Sequence, residues 1–271
     1  MTQYTSETTK DIRVPLISNS VPIVPTPPDI TPTINLSSPT PKEKIEQKVS
    51  PIKYYVKASF MITYILLLTT ATITFIEAMR TKTNYVRHVL NLETCISIVA
   101  GYFYSVFIAQ LDDSNKLYKD VDWNDVTKTR YIDWTITTPM MLLTLCIVLG
   151  SHINKKVPLF TLLFILALNY SMLFIGYLGE TNVLSKLFAS AAGFVPFVGM
   201  FYVIFKNFVE PQYVYANYYL FFIYLIVWGL YGIVYLLPEM YKNICMNILD
   251  SIAKCLIGLG LWAYYSNIIV K

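Results

Sequence analysis

From about residue 55 onward the apolar positions run in seven long blocks, 55–79, 88–110, 126–149, 157–178, 184–206, 213–237 and 242–268, joined by short polar connections. Each block holds the roughly 20 apolar residues that a helix needs to cross a bilayer. Backbone groups facing lipid must find their hydrogen bonds within their own segment, so the pattern predicts an all-α membrane protein, a seven-transmembrane helix bundle. Ahead of residue 54 the pattern stops. Residues 1–53 alternate proline with small polar residues, as in Val24-Pro-Thr-Pro-Pro28 and Ser38-Pro-Thr-Pro41. Such a stretch favours an extended chain without a core and predicts a flexible, disordered N-terminal extension. The expected organisation is a Pro-rich tail over 1–53 and a bundle over 54–271.

Composition sharpens this division. Of 271 residues 55% are hydrophobic and 14% charged, and nine of the 14 prolines fall in the tail. An ordinary soluble domain carries about 25% charged residues. A soluble enzyme is thereby excluded. The net charge of +4 is spread without a basic run, which excludes a nucleic-acid partner as well. Arg80, Lys82, Arg87, Lys155, Lys156, Lys206 and Lys271 fall on one side of the bundle, opposite Asp112, Asp113, Asp120, Asp122, Asp125, Glu180 and Glu239. The positive-inside rule then predicts a cytoplasmic C-terminus and an extracellular or lumenal N-terminus. Cys95, Cys146, Cys245 and Cys255 lie in apolar stretches without metal-site spacing and are expected to be buried thiols. His88 and His152, at block ends, are expected at the surface.

Ionisable groups deep in a membrane span are costly and default to functional hypotheses. Lys254 stands about 12 residues into the seventh block, so about 18 Å from its outer end and near the midplane. Asp250 precedes it by four residues, on the same helix face. In the third block Arg130, Asp133 and Thr137 share a face, at spacings of three and four. The two bases and two acids sum to zero charge, and two unrelated structural ion pairs would also explain them. The chemistry that needs this set is an imine. An amine desolvated in an apolar pocket condenses with an aldehyde, and the resulting buried cation requires carboxylate counterions, here Asp133 and Asp250. Trp134 adjoins Asp133, while Trp228, Tyr231 and Tyr235, and likewise Asn169, Met172 and Gly176, recur at helical spacing. Alone these stripes read as core packing; beside a buried lysine they would wall a long flat ligand.

Arg130-Tyr-Ile-Asp-Trp-Thr-Ile-Thr-Thr-Pro139 resembles the third-helix signature of the microbial (type I) rhodopsins, and Leu249-Asp-Ser-Ile-Ala-Lys254 resembles their retinal-attachment helix. The match covers about residues 55–268 and leaves the tail aside. It implies all-trans retinal held covalently on Lys254 and a pocket of Trp134, Thr138, Met172, Trp228 and Tyr231. It also implies a counterion and proton-acceptor group of Asp133, Asp250, Arg130 and Thr137, with light-driven isomerisation coupled to ion movement. Met141 matches the family's colour-tuning position, where an apolar residue resembles the green-absorbing type. The expected partners are the lipid bilayer, a transported cation or proton, and further copies of the chain in a homo-oligomer.

The ion task turns on the inner half. The family's outward proton pumps carry a donor acid eleven residues after the acceptor, where this chain has Thr144. Gly232 replaces a proline usual in the sixth helix, and Asn169 stands where many pumps have aspartate. Glu93, in the second block, is a replacement donor or a gate in a polar path with Glu77, Asn91 and Ser97. The block Leu90-Asn-Leu-Glu-Thr-Cys-Ile-Ser97 resembles that of the small rhodopsins of large algal and protist viruses. The missing acid at position 144 favours a light-gated cation channel; an outward proton pump is the alternative, and a photosensor acting through a separate partner is the third reading.

Overall fold

The computed structural model of the protein describes residues 51–116, 121–266 and 268. The flexible extension expected over 1–53 lies, up to residue 50, outside the described residues, as do Asp120 and Lys271. Every regular element described is helical: α1 (Pro51–Arg80), α2 (Asn84–Lys116), α3 (Trp123–His152), α4 (Leu159–Glu180), α5 (Lys186–Phe208), α6 (Tyr215–Val234) and α7 (Glu239–Tyr265). All seven are long and apolar enough to cross a membrane, as the block pattern predicts.

The helix ends follow local chemistry. Asp122 caps α3 by accepting from the backbone N–H of Asn124 (3.0 Å) and Asp125 (3.3 Å), and Ser185 caps α5 by accepting from that of Phe188 (3.3 Å). Asn154 and Asn182, both at positive φ, turn the chain after α3 and α4, a backbone region that asparagine tolerates. Pro139 interrupts α3 internally and deprives the Thr135 carbonyl of its helical donor. The Tyr170 hydroxyl of α4 donates to that carbonyl at 3.3 Å and replaces the lost bond.

Two helices carry the centre. The spans of α3 and α7 are the most buried, whereas α4 and α6 expose wide apolar faces such as Phe160, Phe174 and Ile226, as lipid-facing helices should. One core cluster joins α3, α5, α6 and α7 around Leu142, Phe201, Tyr224 and Trp228. A second, around Phe60, Tyr104 and Phe107, fastens α1 to α2. Within α7, residues Ser251–Leu256 form a π-helical turn that contains Lys254. Such turns insert one extra residue and re-aim the side chains they carry.

Three expectations need correction. Cys95 is exposed and Cys245 half-buried, since an apolar stretch in a membrane helix faces lipid as readily as core; Cys146 and Cys255 are buried. His152 is half-buried instead of lying at the surface, and its Nδ1 bonds Asn217 Oδ1 at 2.6 Å, between the end of α3 and the start of α6. Glu180, assigned to an outer loop, ends α4 and is buried.

Candidate functional site

The side chains of Lys254, Asp133, Asp250 and Arg130 meet at the centre of the bundle, each no more than 2% exposed. Lys254 Nζ donates to Asp133 Oδ2 at 2.8 Å and lies 3.5 Å from Asp250 Oδ1. Asp250 is saturated with donors. Its Oδ1 accepts from the Tyr231 hydroxyl (2.7 Å), and its Oδ2 from the Tyr104 hydroxyl (2.7 Å) and Arg130 Nη1 (3.4 Å). By contrast Asp133 Oδ1 has no hydrogen-bond partner among the described residues. Thr137, on the same face, donates to its own helix at the Asp133 carbonyl (2.9 Å) and leaves the carboxylate alone.

Arg130 is held by groups that its position on α3 does not announce. Its Nη2 donates to Asn243 Oδ1 (3.1 Å) and Asn247 Oδ1 (2.9 Å) of α7, and its guanidinium lies 5.4 Å and 5.0 Å from the ring centroids of Phe60 and Phe107. Charge-assisted bonds and ring faces together offset part of the cost of burying the cation.

An apolar cavity runs from Lys254 between α3, α4, α5 and α6, with about 830 Å³ of empty space when its open side is included. Trp134, Thr138, Met141, Met172, Trp228 and Tyr231 line it. Trp134 and Tyr231 meet edge to face at 5.6 Å, and Asn169 Nδ2 donates to Thr138 Oγ1 at 2.8 Å. An apolar slot that ends at one amine flanked by carboxylates fits a long polyene aldehyde in shape and chemistry. Gly232 opens onto this cavity. A Cβ there would stand 2.5 Å from Phe194 Cζ, so the ring of Phe194, from α5, occupies the space that a proline would take. α6 runs unbroken through the position.

The inner candidates separate. Glu93 is buried in α2, and its carboxyl reaches α7 at Gly258, where a Cβ would come within 2.9 Å of Oε2. Thr144 is buried on α3 with its hydroxyl unpaired among the described residues. Glu77 is half-buried in the last turn of α1, 4.0 Å from Arg80. Asn91 is exposed; two residues from Glu93 is about 200° around a helix, so its side chain leaves the interior path.

A second charge cluster escapes the sequence reading. Lys242 is 2% exposed, and its Nζ donates to Glu180 Oε1 (2.9 Å) and Oε2 (3.0 Å) and to Glu239 Oε1 (2.8 Å). Lys186 completes a quartet, 3.2 Å from Glu180 and 3.1 Å from Glu239. The spacing of Lys242, Met246, Asp250 and Lys254, four residues each time, was the available signal: all face one side of α7. Glu180 ends α4 and Lys186 begins α5, each at the helix end where its charge is disfavoured. Mutual pairing across three helices compensates them. Lys242→Met leaves Glu180 with Lys186 alone and should lower stability by about 3 kcal/mol, read as a fall in the thermal midpoint of the detergent-solubilised protein.

Seven helices long and apolar enough to cross a membrane, packed around a central cluster of Lys254, Asp133, Asp250 and Arg130, define an integral, multi-pass membrane protein. Residues 55–268 match the family described as bacteriorhodopsin-like proteins, so the chain belongs to that family, the microbial type I rhodopsins, and resembles their viral group. The crystal structure of the viral rhodopsin OLPVRII is 40% identical with a TM-score of 0.73, over 82% of this chain and 100% of that one. The blue light-absorbing proteorhodopsin from Med12, 20% identical with a TM-score of 0.62, shares the fold over 79% of this chain and 97% of its own. A green-light absorbing proteorhodopsin of Gamma-proteobacterium EBAC31A08 is 27% identical over 160 residues, 54% of this chain and 62% of that relative's length.

Proposed function

We infer that residues 54–271 form a retinal-binding, light-driven ion transporter, and that the ion is a proton moved outward between Glu93, Lys254 Nζ and Asp133. Retinal, all-trans and covalent on Lys254, supplies light absorption and a change of shape when bound. The chain's own groups do the rest. Asp133 Oδ2, 2.8 Å from Lys254 Nζ, is the acceptor, because its other oxygen lacks a donor while three donors fix the charge of Asp250. Arg130, tied to Asn243 and Asn247, keeps Asp250 paired after that transfer.

The observation that carries the proton reading is Glu93. Its carboxyl lies on the inner side against α7, one turn past Lys254, with Oε1 unpaired among the described residues. A lone carboxylate charge is expensive to bury, whereas a carboxylic acid is not, so the group suits the storage of a proton. It supplies from α2 the acid that position 144 lacks, which moves the preference from channel to pump. The channel reading keeps one support, the hydroxyl-lined seam of Thr74 and Thr94, 2.8 Å apart between α1 and α2.

With basic residues gathered at the inner ends, outward transport gives photocurrents of one sign. Currents that remain outward across the voltage range support the pump; a sign reversal that follows the cation gradient replaces it with a light-gated channel. Glu93→Gln should slow recovery of the resting absorption after a flash by about a hundredfold, the scale of a lost proton-transfer group. Recovery at the wild-type rate removes Glu93 as donor.

A further inference from the structure

We propose that Gly258 is a positioning residue for Glu93: its missing side chain is a notch in α7 that seats the Glu93 carboxyl one turn inward of Lys254. The inference rests on the reading of Glu93 as the inner proton site and adds what holds the carboxyl there. A Cβ at position 258 would stand 2.9 Å from Glu93 Oε2 and 3.2 Å from Thr70 Cγ2, so the carboxyl would have to leave its seat and Thr70 to give by a few tenths of an ångström. Gly260, two residues on, would meet nothing within 4 Å. Glycine inside a helix is unfavourable compared with alanine, so at position 258 the close approach supplies the reason for it.

A second observation is independent of the notch. Glu93 Oε1, Ser97 Oγ and Thr144 Oγ1 are all buried without a hydrogen-bond partner among the described residues. Ser97 follows Glu93 by four residues on the same face of α2, and Thr144 comes from α3, which packs against α2. Buried polar atoms in folded proteins are paired with protein or with ordered water. Each of the three is therefore a place for ordered water, Glu93 Oε1 among them. The notch fixes Oε2 against α7, and Oε1 is left to bond the water. In proton return the Glu93 O–H bond breaks, water relays the proton, and an N–H bond forms at Lys254 Nζ, with Glu93 left as carboxylate until it takes a proton from the inner side.

A double-mutant cycle tests the notch. Gly258→Ala, Glu93→Asp, their combination and Gly260→Ala are compared by the thermal midpoint of the retinal-free protein and by flash recovery of the pigment. Gly258→Ala should lower the midpoint and slow recovery by about tenfold, while Gly260→Ala stays within about twofold of wild type. In the Glu93→Asp background, where the carboxyl is one methylene shorter and clears the new Cβ, adding Gly258→Ala should change both readouts far less than in the wild type, leaving only the contact with Thr70 Cγ2. Equal effects of Gly258→Ala in both backgrounds overturn the proposal. If Gly258→Ala protein fails to fold, folding of the double variant places the clash at Glu93 and sustains the proposal, and failure of both overturns it. Failure of the donor reading is separable: Glu93→Gln would then recover normally while the midpoints of the retinal-free proteins still show the coupling.

Discussion

Lys254→Ala protein, mixed with all-trans retinal, forms no visible pigment. Condensation needs a primary amine at the end of the cavity, and Lys254 Nζ opens onto it between Asp133 and Asp250. Alanine removes the amine and also leaves two buried carboxylates facing Arg130 alone, so loss of the fold would produce the same blank spectrum. Lys254→Arg separates the two causes. It retains a cation against both carboxylates but cannot condense with an aldehyde, since its guanidinium stays charged. A folded Lys254→Arg protein without a visible band is the expected outcome. A band of normal intensity in either variant would show that the attachment point lies elsewhere.

Asp133→Asn should abolish outward photocurrent, with a fall of at least about a hundredfold, as expected when a positioned proton acceptor is lost. The same change should move the absorption band to longer wavelength. A carboxylate 2.8 Å from Lys254 Nζ stabilises positive charge at that nitrogen in the ground state more than after excitation has drawn the charge away from it. Removing the carboxylate narrows the gap. Asp250→Asn should act differently, because Asp250 is bonded to Tyr104, Tyr231 and Arg130. Breaking that network leaves a buried guanidinium with amide partners and should cost about 3–5 kcal/mol in stability. An Asp133→Asn protein that retains full photocurrent would transfer the acceptor role to Asp250.

The centre of this molecule was legible because charge in an apolar span is a strong signal. Lys254, Asp250, Asp133 and Arg130 stand out against their neighbours, and helical spacing suffices to pair them along each helix. The pocket was legible for a weaker reason: Trp134, Trp228 and Tyr231 carry meaning only once a lysine is placed beside them. What remained hidden depends on which faces meet. Glu93 was visible as an acid, but its reach to α7 depends on Gly258, and an absent side chain leaves no mark in the pattern. Asn91 and Glu93 are two residues apart in one apolar block, yet one faces outward and the other the interior. Glu180 and Glu239 read as loop acids because both stand at block ends. Glu180 is buried and Glu239 half-buried because Lys242 pairs with both, with Glu180 from the distant α4 and with Glu239 three residues ahead on α7.

The ring of Phe194 seated in the place left open at Gly232 binds the histories of two positions on different helices. With 2.5 Å between a Cβ at position 232 and the ring, proline there requires the ring of Phe194 to move out of its place. A smaller residue at 194 without a partner change at 232 would open a void beside the cavity and carry the cost of an unfilled core. Among descendants of this gene the two sites should change as a pair, large with glycine or small with proline, and lineages that hold the mixed combinations should be depleted.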